Sequence, residues 1–336
     1  MKKRTLSVLF VVLLACMMLS GCKKNVGTPE DNAVTDTEDK DSGDGEEAEE
    51  ESGYLFGYSC IDLDNPYYKT LQKAIEAALN DTGDRLEARG AHSDAGTQNE
   101  QIQELIDMKV DAVFLSPVDW ESITPALEAL DEAGIPVINL DTRVKETDLT
   151  KAFIGSDNKN AGYVCGEDLK KQYPDGGKIL IFEAQVVNAV NERITGFEEA
   201  IANAGFEVLN RADVNGEKSK AYEQMKAFLT EYPDIDAVMC GNDQIALGVL
   251  QAVEETGRDN VKIYGVDGSP DAKSEIAKEG SPFIGTGAQS PINIGKVAAE
   301  TGIAILDGGK YEEEVCEETF FIDKNNVELY GTDGWQ

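Results

Sequence analysis

Histidine is nearly absent from this 336-residue chain, with His92 its sole representative. A multi-histidine metal centre is thereby excluded, and a Cys–His pair has a single base to draw on. Positive charge is scarce too: Lys and Arg total 30 against 64 Asp and Glu, a net charge of −34. Such a surface repels phosphate backbones and anionic lipid, which excludes non-specific nucleic-acid binding and basic docking onto membranes. The six cysteines form no C-x-x-C pair, so zinc-ribbon and thioredoxin chemistry lack support. There is no G-x-S-x-G and no P-loop, and Gly265-Val266-Asp267-Gly268 lacks the third glycine of a dinucleotide fingerprint. Asp213–Glu217 (DVNGE) has acidic residues but not the twelve-residue loop of a calcium site. No metal or cofactor is expected.

What is present begins with an export pattern. Lys2, Lys3 and Arg4 precede the apolar run Leu6–Leu19, whose 14 residues are too few to span a bilayer core. Leu19-Ser20-Gly21-Cys22 follows and resembles the lipobox of bacterial lipoproteins, in which the cysteine carries a diacylglyceryl group. Residues 1–21 are therefore expected to be a signal peptide and Cys22 a lipid attachment site. Between Glu30 and Glu51 stand twelve acidic residues and one lysine, Lys40. That composition cannot offset the entropy of ordering, so 22–52 is expected to be a disordered tether. Losing residues 1–21 takes the charge from −34 to −37, of which about nine negative charges belong to the tether. The body keeps about −28, a solubility feature rather than a site.

From Tyr54 onward, short apolar runs alternate with helical periodicity. Tyr54–Ser59, Ala112–Ser116, Pro136–Leu140, Lys178–Phe182, Ala237–Cys240, Val261–Val266 and Phe283–Ala288 read as strands. Tyr68, Leu71, Ile75 and Leu79 share one helix face, as do Ile123, Ala126, Leu127 and Leu130, and Ile245, Val249, Ala252 and Val253. Alternation of this kind predicts βαβ units and parallel sheets. About 280 residues accommodate ten or eleven strands, too many for one ordinary doubly wound sheet, so two α/β lobes are expected. A single eight-unit barrel is the alternative.

Ligands of open parallel sheets meet the carboxyl ends of the strands. Polar residues recur there: Asp62, Asp64 and Asn65 after the first strand, Asp141, Thr142 and Arg143 after PVINL, Asn242 and Asp243 after AVMC, Asp267 after KIYGV and Gln289 after the last. Helix capping explains some of them, Asn65 and Asn242 in particular.

The segments DNPYY (64–68), PVINLD (136–141), IGSDN (154–158), ERITGF (192–197), GNDQIALG (241–248), YGVDGSPD (264–271) and AQSPINIG (288–295) stand in family order and spacing. Together they closely resemble the type I periplasmic-type sugar-binding proteins of ABC importers, ribose-binding branch, from about Gly53 to Asp323. The resemblance implies two doubly wound α/β lobes joined by a three-strand hinge. Lobe one would comprise 53–155 and 289–317, and lobe two 156–288 and 318–336. It also implies ligand contacts from Asn65, Tyr67, Tyr68, Asp141, Arg193, Asn242, Asp267 and Gln289. These types suit a sugar: carboxylates accept from hydroxyls, Arg donates to two at once, Asn and Gln do both, and tyrosine rings cover C–H faces. Read without the resemblance, the lesser alternatives are a surface salt bridge for Arg193, a core position for Tyr68 and a turn for Asp267.

Two departures affect the site. The ribose branch has Arg directly after its strand-end Asp; here Thr142 follows Asp141, and Arg143 is the candidate replacement although neighbouring extended residues face opposite ways. An aromatic of the second lobe is replaced near Val214 and Asn215. The implied protein is not an enzyme. It is a monomeric receptor on the outer face of a bacterial cell membrane, held by the Cys22 lipid, that passes a pentose or hexose to an ABC permease. Presentation of a sugar or signal molecule to a chemoreceptor or sensor kinase is the alternative. Cys60, Cys165, Cys240 and Cys316 are expected to be buried free thiols, His92 a loop residue, and Trp120 the start of a helix, with a place at the cleft edge as its alternative.

Overall fold

The computed structural model describes residues 53–336. The expected signal over 1–21, the lipid site Cys22 and the tether over 22–52 lie outside the described residues.

Twelve strands form two open six-stranded sheets rather than one closed barrel. The first sheet contains Leu55–Cys60 (β1), Arg85–Gly90 (β2), Ala112–Leu115 (β3), Val137–Leu140 (β4), Ala152–Ser156 (β5) and Glu314–Glu317 (β11), ordered β11-β5-β4-β3-β1-β2 and wholly parallel. The second contains Lys178–Glu183 (β6), Glu207–Asp213 (β7), Ala237–Cys240 (β8), Lys262–Asp267 (β9), Phe283–Ala288 (β10) and Phe320–Asp323 (β12), ordered β12-β10-β9-β8-β6-β7. In this sheet β12 alone runs antiparallel. β3, β4 and β8 are buried at every position, which requires helices on both faces.

Around the first sheet lie Pro66–Asn80 (α1), Ala95–Asp107 (α2), Thr124–Glu132 (α3) and Pro291–Leu306 (α9). Around the second lie Asn158–Gln172 (α4), Asn188–Ile201 (α5), Lys218–Glu231 (α6), Asp243–Thr256 (α7), Pro270–Ala277 (α8) and Val327–Tyr330 (α10). α1 shows how one element forms. Asn65 caps it through an Oδ1 that accepts the Tyr67 N–H at 2.9 Å, and Pro66 presets its first φ. Its buried face is Tyr67, Tyr68, Leu71, Ile75 and Leu79, each contributing about 1.5–3 kcal/mol of burial.

The apolar-run reading locates seven strands and misses β2, β5, β7, β11 and β12. Four of these are sheet edges. Three of them, RLEARG, EVLNRAD and EVCE, carry two or three charges each, against one in FFID, because one side faces water. The chain passes between the sheets after β5, after β10 and between β11 and β12. One apolar cluster continues across the molecule, from Leu71 and Ile75 to Ile181 and Phe197.

Candidate ligand-binding site

Each sheet reverses its strand order at a switch point, between β1 and β3 in the first and between β6 and β8 in the second. Crevices open at the carboxyl ends of strands beside such points. Here the two crevices face each other and enclose a cavity of about 610 Å³. Asn65, Tyr67, Tyr68 and Asp141 line it from the first sheet's side, and Arg193, Asn242 and Asp267 from the second's. Ala184, Val187, Ala189 and Val190 form an aliphatic wall. Asp62, Asp64, His92 and Ser93 stand at one lip, and Asn215, Lys218 and Tyr222 at the other.

Arg193 is the centre of the polar network and is only 4 % exposed. Its Nε donates to Asn158 Oδ1 at 2.8 Å, and its Nη1 to the Gly241 carbonyl at 2.9 Å and Asp267 Oδ1 at 3.2 Å. Asp141 Oδ1 lies 3.9 Å from Nη2. Tyr68 Oη donates to Asp141 Oδ2 at 3.0 Å, and Gln289 Nε2 to Asp267 Oδ1 at 2.8 Å. Three buried oxygens are left without a partner: Asp141 Oδ1, Tyr67 Oη and Gln289 Oε1. Buried polar atoms are normally satisfied, so the first two, in residues lining the cavity, are hydrogen-bonding capacity that the fold itself does not use.

Charge follows burial. Desolvation raises Asp141 although Arg193 opposes it. Asp267 is pushed up to about 8, by burial first and by Asp243 and Asp141 next, against the pull of Arg193. Burial works against the guanidinium charge, but Asp267 and Asp141 together hold Arg193 above its ordinary value. Burial puts Tyr67 and Tyr68 well above the usual phenol range, so both stay protonated donors. Asp141 and Asp267 also sit at positive φ, 64° and 141°. Non-glycine residues there cost about 1–3 kcal/mol each, and such strain concentrates at functional sites.

Seven of the nine residues singled out in the sequence thus converge on one cavity. Asn65 and Asn242 act in two ways: each oxygen caps a helix, accepting the Tyr67 N–H at 2.9 Å and the Ile245 N–H at 2.8 Å, while the residue also faces the cleft. Gln289 lies behind Asp267, fully buried, and is not among the cavity's lining residues. Arg143 is the one placed elsewhere. It donates to Glu314 Oε1 at 2.6 Å and stacks 3.7 Å over the Phe153 ring. Both residues follow the end of β4, past the left-handed turn at Asp141, and there Thr142 rather than Arg143 faces the cleft, its Oγ1 accepting the Ala189 N–H from across it at 3.0 Å. Val214 is core and Asn215 takes the lip. Trp120 does not start a helix, since α3 begins at Thr124; its N–H donates across the cleft to the Val186 carbonyl at 3.1 Å. Cys60, Cys165 and Cys240 are buried free thiols, whereas Cys316 is free but exposed, on edge strand β11. Sequence reasoning did not single out Asn158 as a ligand of Arg193, nor Tyr222, nor the aliphatic wall. Asn158 carried a signal, inside IGSDN after a strand, but the wall is ordinary helix sequence.

Comparison with known proteins agrees with this geometry. The family described as periplasmic binding protein domain matches residues 56–310. The ribose import binding protein RbsB of Bacillus subtilis is 30% identical over 263 residues, covering 78% of this chain and 85% of that protein. RbsB of Escherichia coli is 29% identical over 251 residues, covering 74% and 84%. Among solved structures, an ABC transporter solute binding protein from Mycobacterium smegmatis with bound glycerol superposes with a TM-score of 0.79 at 30% identity, covering 84% of this chain and 98% of that one. Another from Bacillus halodurans, with bound myo-inositol, gives 0.77 at 25% identity, covering 84% and 98%. These are substrate-binding proteins of transport, not enzymes. Family match, two-lobed fold and inter-lobe polar cleft agree: the chain belongs to the type I periplasmic sugar-binding proteins, in the ribose-binding branch.

Proposed function

We propose that this protein is an extracytoplasmic receptor that captures a neutral monosaccharide, a pentose or hexose, between its lobes and delivers it to an ABC permease. The carrying observation is the convergence of Asn65, Tyr67, Tyr68 and Asp141 from one sheet and Arg193, Asn242 and Asp267 from the other on a single cavity. Each sugar hydroxyl donates and accepts, so a ring of them completes this set. Tyr67 from the first lobe and Val187, Ala189 and Val190 from the second line the same cavity and offer apolar contact to the C–H faces of a sugar ring. No side chain here is an activated nucleophile, and capture followed by release needs none. Asn65, Tyr67, Tyr68, Asp141, Arg193, Asn242 and Asp267 are the proposed contacts, with Gln289 holding Asp267.

The proposed lobes are 53–155 with 289–317 and 156–288 with 318–336, closing about the three crossings. The proposed signal over 1–21 and lipid on Cys22 place the receptor as a monomer on the outer face of the bacterial cell membrane. Acyl chains contribute about 0.8 kcal/mol per buried CH2, which makes two or three chains a stable anchor. Calorimetric titration with pentoses, hexoses and cyclic polyols tests the ligand; micromolar affinity, about −8 kcal/mol, is expected. Failure of every mono- and disaccharide to bind would overturn the reading. Loss of membrane association in Cys22→Ala tests the anchor.

A further inference from the structure

The last six residues, Gly331–Gln336, lie against the cleft's support rather than trailing from α10. Lys273 of α8 is fully buried. The oxygens its ammonium reaches come from this segment or its approach: the Gly334 carbonyl at 2.8 Å, Gln336 Oε1 at 3.1 Å and the Tyr330 carbonyl at 3.4 Å. Ser274 Oγ donates to the Thr332 carbonyl at 3.3 Å. On the other side, Ser290 Oγ, at the head of α9, donates to the main-chain oxygen of Gln336 at 2.7 Å. Gln336 Nε2 donates to the carbonyls of Gln289 and Asp267. Held from both sides, Trp335 meets Tyr67 edge-to-face with ring centroids 5.9 Å apart and planes at 72°. Tyr67 is in turn edge-on to Tyr68, at 5.3 Å.

We propose that Trp335 is a positioning residue for ligand binding: it fixes the ring of Tyr67 against the cleft and is itself fixed by Lys273 and Ser290. This rests on the sugar-binding reading of the cavity. The physical case is one of freedom. The Tyr67 hydroxyl makes no hydrogen bond of ordinary geometry and has the Asp141 carboxyl as its polar neighbour, so packing does most to set its χ angles. An edge-to-face aromatic neighbour sets a ring's orientation more specifically than aliphatic contact does. A ring held in its bound orientation loses less entropy when a sugar stacks on it. The ammonium–carbonyl contacts make the segment part of the folded unit, because freeing it would leave a buried charge without acceptors.

The test places 3-fluorotyrosine at position 67 of the full chain and follows its fluorine resonance without ligand, then titrates with D-ribose and with myo-inositol. In Trp335→Ala the resonance shifts and broadens and the Kd rises about tenfold; Trp335→Phe, which keeps an edge-to-face ring, restores both to within threefold. Melting temperature is read in parallel, since a purely structural role lowers it in Trp335→Ala without changing the Kd of the folded protein. An unchanged resonance, or a Kd within twofold of wild type, overturns the proposal. If wild type binds neither sugar, the sugar reading fails for those ligands and the ligand-free resonance alone decides positioning. Should Trp335→Ala fail to fold, Ser290→Ala, which cuts only one link to Gln336, carries the same readouts.

Discussion

Arg193 shows how one residue's environment determines a site. Its guanidinium is 3.2 Å from Asp267 and 3.9 Å from Asp141, and all three side chains are buried. Replacing it with methionine leaves Asn158, the Gly241 carbonyl and Asp267 without the buried donor they share, at about 1–3 kcal/mol for each group left unpaired. Arg193→Met should therefore lose detectable sugar binding in calorimetry and unfold at lower urea; sugar binding within tenfold of wild type would remove Arg193 from the site. Asp267 predicts a pH dependence. Its folded pKa of about 8 stands above the ordinary 3.8. Between those values the folded protein keeps a proton that the unfolded chain has lost. That contribution to stability is fully present below pH 3.8 and is lost as pH rises through 8, at up to about 1.4 kcal/mol per unit. Urea midpoints of the ligand-free protein at pH 5, 6.5 and 8 should fall more steeply for wild type than for Asp267→Asn, and equal slopes would contradict this.

At the scale of elements, the pair α4–α5 decides where Arg193 points. A Cβ on Gly162 would stand 1.7 Å from the Arg193 carbonyl oxygen, and one on Gly196 would stand 1.9 Å from the Lys159 oxygen. The helices therefore meet backbone to backbone, and only glycine fits. Overpacking of this kind costs about 1–3 kcal/mol where the neighbour can yield, and here the neighbour is main chain. Gly162→Ala should lower the melting temperature and weaken sugar binding at least tenfold without altering any cleft side chain. Normal affinity in that variant would mean the helices slide freely. The helix periodicities and seven strands were legible because apolar residues recur at the period of the element they form. Edge strands such as Arg85–Gly90 were not, since half their surface faces solvent. Asn158 was legible only as part of a segment, because its partner Arg193 lies 35 residues further along.

For the whole molecule, the contacts across the cleft matter most. The Trp120 N–H to Val186 carbonyl and Ala189 N–H to Thr142 Oγ1 bonds join the two halves directly. An N–H buried without its acceptor costs about 1–3 kcal/mol, and that loss falls only on the joined arrangement. Thr142→Val should raise the sugar Kd about tenfold, equivalent to about 1.4 kcal/mol, and reduce the compaction seen by small-angle scattering on adding sugar. Identical affinity and compaction would show that the bond plays no part in closure. Ligand binding favours whichever arrangement makes contacts from both lobes at once.

The sequence by itself determined the alternating α/β class, the strand ends at which polar residues gather, and, through seven segments in register, the family. Those follow from local periodicity and from residue types that only certain backbone positions tolerate, as with Asp141 and Asp267 at positive φ. Only the tertiary structure decided between Thr142 and Arg143, because the left-handed turn at Asp141 and the nearness of Glu314 are not properties of adjacent letters. It alone brought Trp335 to Tyr67, separated by 268 positions in sequence and 5.9 Å in space. No period or motif encodes such a contact; it exists because residues 331–336 are held between Lys273 and the Gln289–Ser290 crossing, beside the first turn of α1.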